Sequence, residues 1–333
     1  MEWDLPLIWA GLIGVAVAMY VILDGFDLGL GILFPFARSD RNRDQMLASI
    51  APFWDGNETW LVLGGGGLLA AFPKAYAAIM PALYLPVIVM LLGLVFRGVT
   101  FEFRGIARRK GRWNFAFAAG STVAAFAQGV ILGGLIQGIR VENGQFAGGP
   151  FDWATPFALL CGLGVVAGYA LLGATWLVMK VEGELADHAR AQAKVLLAAV
   201  LVFMAIVSLW TPLAVPRIFE RWFSMPNILY LWPVPIVTAL TALAAWRWLD
   251  QGPGARPFVA AIVLFLLGYL GLAISTFPYL VPPTLTIWDA AAGPASQAFL
   301  LIGTLILLPI ILGYTAMVYW IFRGRVRAGE SYH

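Results

Sequence analysis

The sequence predicts an all-α polytopic membrane protein, on three observations. Apolar residues make up 61% of the 333 and charged ones only 12%, with a mean hydropathy of +0.84. Those values lie outside the soluble globular range. The apolar residues gather into stretches of about 20, the length a helix needs to cross a hydrocarbon core of ~30 Å. The basic residues fall in short connections between these stretches. The pI near 9.1 therefore reports membrane orientation rather than a nucleic-acid partner.

Nine spans are predicted, at about 5–27, 50–72, 76–101, 114–139, 153–179, 195–213, 228–249, 257–277 and 296–322. The first is continuous, and segment 28–37 behind it is still apolar, so this helix is overlong or followed by an interfacial piece. The second is weakest, because Asp55, Glu58 and Gly64–Gly67 dilute it. Prolines interrupt several spans: Pro81 and Pro86 in the third, Pro235 in the seventh and Pro309 in the last. The fourth carries Gly129, Gly133, Gly134 and Gly138, and the fifth Gly164 and Gly168. Such small-residue faces, with Gly64–Gly67, read as close helix packing, and Gln128 and Gln137 as interhelical hydrogen-bonding groups. Trp3, Trp9, Trp153, Trp222, Trp232, Trp246, Trp248 and Trp320 lie near span ends, as interfacial belts do.

No cleavable signal is expected, since MEWDLP is acidic and no A-x-A site follows the first run. The longest polar connections, 102–113 and 180–194, are loop-sized, so 1–333 reads as a single membrane domain. Trp54-Asp55 and Trp288-Asp289 echo each other too briefly for a repeat. Cys161, the one cysteine, excludes an internal disulfide.

Orientation follows from the Lys/Arg tally. With the N-terminus outside, sixteen basic residues lie inside: Arg38, Arg41, Arg43, Arg104, Arg108, Arg109, Lys110, Arg112, Lys180, Arg190, Lys194, Arg247, Arg256, Arg323, Arg325 and Arg327. Only Lys74, Arg140, Arg217 and Arg221 lie outside, and Arg97 stays in a span. The bias predicts an external N-terminus and an internal C-terminus. Nine spans satisfy that parity.

Four carboxylates interrupt this apolar chain, in two i, i+3 pairs: Asp24 with Asp27, and Asp55 with Glu58. One carboxyl at the centre of a spanning helix costs about 2.5–3.5 kcal/mol on insertion scales. Tyr20, Asp24 and Asp27 share one helix face. Asp55 and Glu58 occupy the first turns of the second span, where the helix dipole favours negative charge. Both pairs converge on the cytoplasmic half. The functional reading is a hydrogen-bonded proton relay; the structural one is helix capping, or ion pairing with Arg97, which reaches the same layer. A buried guanidinium needs such a partner.

Histidine is nearly absent. His188 is assigned to the inner loop and His333 ends the chain, so neither offers a haem an intramembrane imidazole. No metal-ligand spacing, P-loop, dinucleotide-binding glycines or G-x-S-x-G occurs. Alone, the chain is not expected to perform redox chemistry or hydrolysis, and no metal site is expected.

The runs VILDGFDLGLGIL, SIAPFWDGNETWLVLGGGGLLAAFPKAYA and LVFRGVTFEFR resemble subunit II of the cytochrome bd quinol oxidases, the cyanide-insensitive branch included. LTIWDA at 285–290 and LLPIILGYTAMVYWIFRG extend the resemblance over essentially the whole chain. It implies one half of a heterodimeric terminal oxidase in a bacterial cytoplasmic membrane, oxidising quinol and reducing O2 to water. It implies two four-helix bundles, about 1–139 and 150–277, and an extra helix at about 296–322. Haem b, haem d and the quinol-oxidation loop would belong to the partner, subunit I.

The resemblance matches Asp24, Asp27 and Asp55 to carboxylates of a proton route from the cytoplasm. Trp60 matches a tryptophan near an O2 entry path, with packing as its other reading. Glu58 inherits no role, and remains with Arg97 and Tyr20 as a supporting group. A small single-helix subunit, a quinone held as a structural ligand and bound membrane lipids are left open as partners. Protons released outside by quinol and consumed inside by O2 would separate charge without a pump. From another class, a proton-coupled secondary transporter also suits intramembrane acids and proline-broken spans.

Overall fold

A computed structural model describes residues 3–326; Arg327 and His333, used above for orientation and haem ligation, lie outside the described residues. Helix α1 (Leu5–Leu33) starts where Asp4 accepts from the Leu7 amide, with Pro6 in its first turn. It continues past residue 27 and ends in a 3₁₀ turn, Phe34–Phe36, realising the overlong reading. A polar helix absent from the sequence expectation follows: α2 (Asp40–Ile50), capped by Ser39. Helix α3 (Trp54–Ala71) therefore begins four residues later than expected. Next come α4 (Pro73–Phe103), α5 (Lys110–Gln137), α6 (Pro156–Lys180) and α7 (Glu184–Ala214). Pro81 and Pro86 kink α4, with Leu83 at φ −118°, ψ 18°.

The supposed 180–194 loop is mostly helix. ELADHARAQAK lacks apolar character but favours helix, so α7 extends beyond the hydrocarbon layer and carries His188 in its second turn. A short amphipathic helix, α8 (Pro216–Phe223), and one turn, α9 (Asn227–Leu231), precede α10 (Pro233–Asp250), α11 (Arg256–Thr276) and α12 (Pro294–Ile321). Two small hairpins sit in connections: β1 (Val141–Glu142) with β2 (Gln145–Phe146), and β3 (Tyr279–Val281) with β4 (Leu285–Thr286). Asn143 and Gly144, both at positive φ, make the first turn.

Among the described residues eight helices are long and apolar enough to cross a membrane, and α3 is not one of them. Asp55, Asn57, Glu58 and Thr59 make its first half polar. Side-chain bonds gather the connections at two ends. At one end Arg104 meets Asp44 (2.5 Å), Arg38 meets Glu184, Lys194 meets Asp250, and Lys180 donates to the Phe322 (2.5 Å) and Gly324 (3.1 Å) carbonyls. At the other, Gln297 donates to the Ala71 carbonyl (3.0 Å), Trp9 to the Gln297 carbonyl (3.1 Å) and Trp288 to Asp4 (3.1 Å).

Helix α1 packs on α3, α5 and α6; α4 packs on α3 and α5; α6 on α5, α7 and α11; α10 on α7 and α11; α12 touches α1 and α3. In lipid such contacts rest on close packing rather than on hydrophobic burial. Gly29 and Gly173 meet backbone to backbone where α1 crosses α6, and a Cβ on Gly29 would lie 2.7 Å from the Tyr169 carbonyl carbon. Gly129 and Gly133 meet Cys161, Gly162 and Ala158 on α6 in the same way, as the small-residue pattern anticipates. In Gly64–Gly67, Gly64 and Gly67 face Val17 and Ile13 of α1, whereas Gly65 and Gly66 face open space among the described residues.

Candidate functional site

The i, i+3 spacing on α1 places Asp24 and Asp27 on one inward face, and both are fully buried. Arg97, on the last third of α4, is buried with them. Its Nη1 donates to Asp24 Oδ1 at 2.6 Å and lies 3.2 Å from Glu58 Oε1; its Nη2 lies 3.8 Å from Asp27 Oδ2. Three carboxyls from two helices thus surround one guanidinium from a third. Asp24 Oδ2, Asp27 Oδ1 and Arg97 Nε and Nη2 are buried without a protein hydrogen-bond partner. Such atoms are where ordered water bridges protein groups.

Two networks extend the cluster. Asn57 Nδ2 donates to Asp27 Oδ2 (2.7 Å) and to the Leu23 carbonyl (3.2 Å), and its Oδ1 accepts from the Tyr319 hydroxyl on α12 (3.0 Å). One turn before Asp24, the Tyr20 hydroxyl accepts from Gln128 on α5 (2.7 Å), whose Oε1 accepts from Tyr169 on α6 (2.6 Å). Tyr20 therefore keeps its own proton free for another acceptor. Gln128 bonds across three helices, and Gln137 accepts from Thr155 at the start of α6.

The predicted residues divide. Asp24, Asp27, Glu58, Arg97 and Tyr20 come together, while Asp55 stands exposed in the first turn of α3, outside the cluster. Glu58, with a side chain 27% exposed, joins the buried core to that open face. Trp60 is 1% exposed and packs with Ala16 and Tyr20, its indole N–H unpartnered. Asn57, Tyr169 and Tyr319 join the networks around the cluster without being among the residues expected from sequence. An amide between two acids in DGNE was a usable signal for Asn57; nothing in the sequence joins Tyr319 to a residue 262 positions away.

No group of His, Cys, Asp and Glu suited to holding a metal occurs among the described residues. His188, the one described histidine, lies near the polar start of α7.

The fold and this buried cluster define an integral membrane protein that keeps ionisable groups inside its helix packing. A family model for cytochrome bd terminal oxidase subunit II matches residues 5–322. Cytochrome bd-I ubiquinol oxidase subunit 2 of Escherichia coli K12 is 32% identical, over 97% of this chain and 95% of that one. Cytochrome bd ubiquinol oxidase subunit 2 of Bacillus subtilis is 28% identical, over 97% of each. The bd oxidase structure from Geobacillus thermodenitrificans has the same fold, with a TM-score of 0.75 over 96% of this chain and 99% of that one, at 18% identity. The chain belongs to the cytochrome bd terminal oxidase subunit II family. It is a subunit of a haem-containing quinol oxidase that reduces O2, is an integral inner-membrane protein and implies a subunit I partner. The transporter reading is not favoured.

Proposed function

We propose that this subunit braces the haem-bearing partner and delivers cytoplasmic protons to it through the Asp24–Asp27–Arg97–Glu58 cluster. The observation that carries the reading is the charge imbalance: three carboxyls face one guanidinium in a buried site. Full ionisation would leave an excess negative charge in a low dielectric, where like charges repel strongly. Protons neutralise that excess most simply. A site that must bind protons, and whose orphaned oxygens can bind water, can pass them on.

In this reading α3 is the ninth crossing. Its 18 residues extend ~27 Å at 1.5 Å per residue, close to a bilayer core. The N-terminus is periplasmic and the C-terminus cytoplasmic, which puts the Asp44, Arg104 and Lys180 end inside. Helices α1, α3, α4 and α5 form one bundle, α6, α7, α10 and α11 the second, joined where α6 packs closely on α1 and α5, and α12 is the extra helix. Asp55 then marks the entrance, Glu58 the passage inward and Asp24 with Asp27 the loaded store.

Haems b and d fall to subunit I, because a membrane haem takes axial donors such as imidazole and His188 lies at the polar end. They supply the electron transfer; this chain binds and moves protons at its carboxyl oxygens. The test is turnover of the purified complex: Asp24→Asn will slow O2 consumption with haem content unchanged. Replacing His188 will leave the haem spectrum intact. Normal turnover in both Asp24→Asn and Asp27→Asn, or loss of a haem with His188, would remove the assignment.

A further inference from the structure

The end that carries the N-terminus holds a second feature, which the proton cluster does not use. Helix α8, PRIFERWF, has Ile218 buried on one side, while Phe219 and Phe223 stack at 5.0 Å on an exposed one. Trp222 Nε1 donates to Ser275 Oγ (2.8 Å), which pins α8 to the end of α11. This is the make-up of a helix lying in a membrane surface. Arg217 and Arg221 are i, i+4 and share a face. Four cations belong to this end by the sequence tally, and among the described residues only Arg140 of them makes an ion pair. Arg140 pairs with Glu142 at 2.7 Å, and Lys74 donates to the Asp289 carbonyl at 3.0 Å.

Arg217 and Arg221 make no ion pair among the described residues. Arg221 donates to the Ile274 carbonyl (3.1 Å), and Arg217 stacks over the Tyr279 ring at 4.6 Å. Arg217 Nη1 is buried with no acceptor. Burial pulls the Arg217 guanidinium below its ordinary value, opposed by Tyr279 and reinforced to a lesser degree by the Arg221 charge. Glu220 lies on the same helix but pairs with neither among the described residues, so two unpaired guanidiniums, one with an orphaned donor, can take an added anion. Beside them opens a cavity of about 240 Å³ lined by Arg221, Asn227, Tyr230, Leu231 and Ile274.

We infer that Arg217 and Arg221, the second of which lines this cleft, bind the phosphate of a membrane-lipid headgroup at its edge. Arginine favours a bidentate phosphate, Asn227 and Tyr230 offer further polar contacts, and Leu231 and Ile274 line the cleft where an acyl chain would adjoin. The inference stands apart from proton delivery, because the cleft shares no residue with the buried cluster.

The test uses the purified complex and its R217Q/R221Q and R217K/R221K variants. Co-purified phospholipid is quantified by mass spectrometry, and thermal shifts are read with dihexanoyl phosphatidylglycerol and, separately, inorganic phosphate. Wild type will retain anionic lipid and be stabilised by the short-chain lipid. R217Q/R221Q will lose affinity about fivefold for each arginine removed, the scale for a basic residue at an anionic surface. R217K/R221K, keeping the charge, will retain part of it. Equal stabilisation by inorganic phosphate, also lost in R217Q/R221Q, would keep the anion site but overturn the lipid as its source. Equal lipid content and equal shifts in wild type and R217Q/R221Q would overturn the site. O2 consumption will be unchanged by either substitution pair, so these outcomes do not depend on the proton reading.

Discussion

Arg97→Gln removes the single cation from a site that holds three carboxyls. The contacts are not equivalent, and the difference sets the magnitude. Asp24 is fully buried and accepts directly at 2.6 Å. Glu58 lies at 3.2 Å but is partly exposed, so solvent screens it. Asp27 lies at 3.8 Å, beyond hydrogen-bond reach, and already accepts from Asn57. One full buried pair is therefore lost rather than three, and breaking such a pair from one side costs about 3–5 kcal/mol. Much of that cost is the uncompensated carboxylate. Asp24→Asn combined with Arg97→Gln will recover part of the stability, with a coupling of about 1–3 kcal/mol. The assay is reversible unfolding of the complex in mixed micelles for wild type, both single variants and the double variant. Wild-type stability in Arg97→Gln, or strictly additive losses in the double variant, would mean that the site is hydrated and that charge burial does not organise it.

Four further outcomes are expected. Asp55→Asn will slow O2 consumption less than Asp24→Asn, because Asp55 is exposed and outside the ion-pair cluster; equal slowing would give it an equal share in the route. Tyr319→Phe will leave Asn57 Oδ1 without its donor, at about 1–3 kcal/mol in unfolding experiments; an unaltered midpoint would show the Asn57 amide held by other means. Gly29→Ala will drive a methyl into the backbone of α6, costing about 1–3 kcal/mol or more as overpacking, measured as lost assembly or a lower unfolding midpoint. A hydrogen bond from Arg43 holds the Asp40 carboxyl below the usual range. A carboxyl lowered on folding contributes stability above its unfolded pKa and loses it as pH falls through its folded one. Asp40→Asn will thus be destabilising at neutral pH and neutral in strongly acidic buffer, by unfolding at both.

What the sequence revealed follows from which interactions are local. Apolar runs fixed the long helices, since a bilayer core demands about 20 apolar residues whatever the tertiary contacts. The polar segments α2 and the start of α7 carry no hydropathy signal, because helices outside the apolar layer need no run of apolar residues. The i, i+3 acids of α1 were legible as one face, and so was a need for Arg97 to find an acid among them. Asp55 and Glu58 are both placed by sequence in the second span's first turns. Yet only Glu58 turns toward α1 and α4, a rotation that depends on where α3 docks. The Asn57–Tyr319 link joins α3 to α12 and belongs wholly to tertiary structure. Gly64–Gly67 carry a packing signal that is used on one side, where Gly64 and Gly67 meet Val17 and Ile13 of α1, while Gly65 and Gly66 leave their face of α3 open among the described residues.

Proton uptake during a single turnover tests proton delivery most directly. The complex is sealed in vesicles, reduced and given a pulse of O2, while a dye reports pH on the side facing the Asp44–Arg104 end. In Asp27→Asn, electron transfer between the haems will keep its early rate, while proton uptake from that side slows to limit turnover. Uptake at the wild-type rate in Asp27→Asn and Asp24→Asn alike would contradict the account.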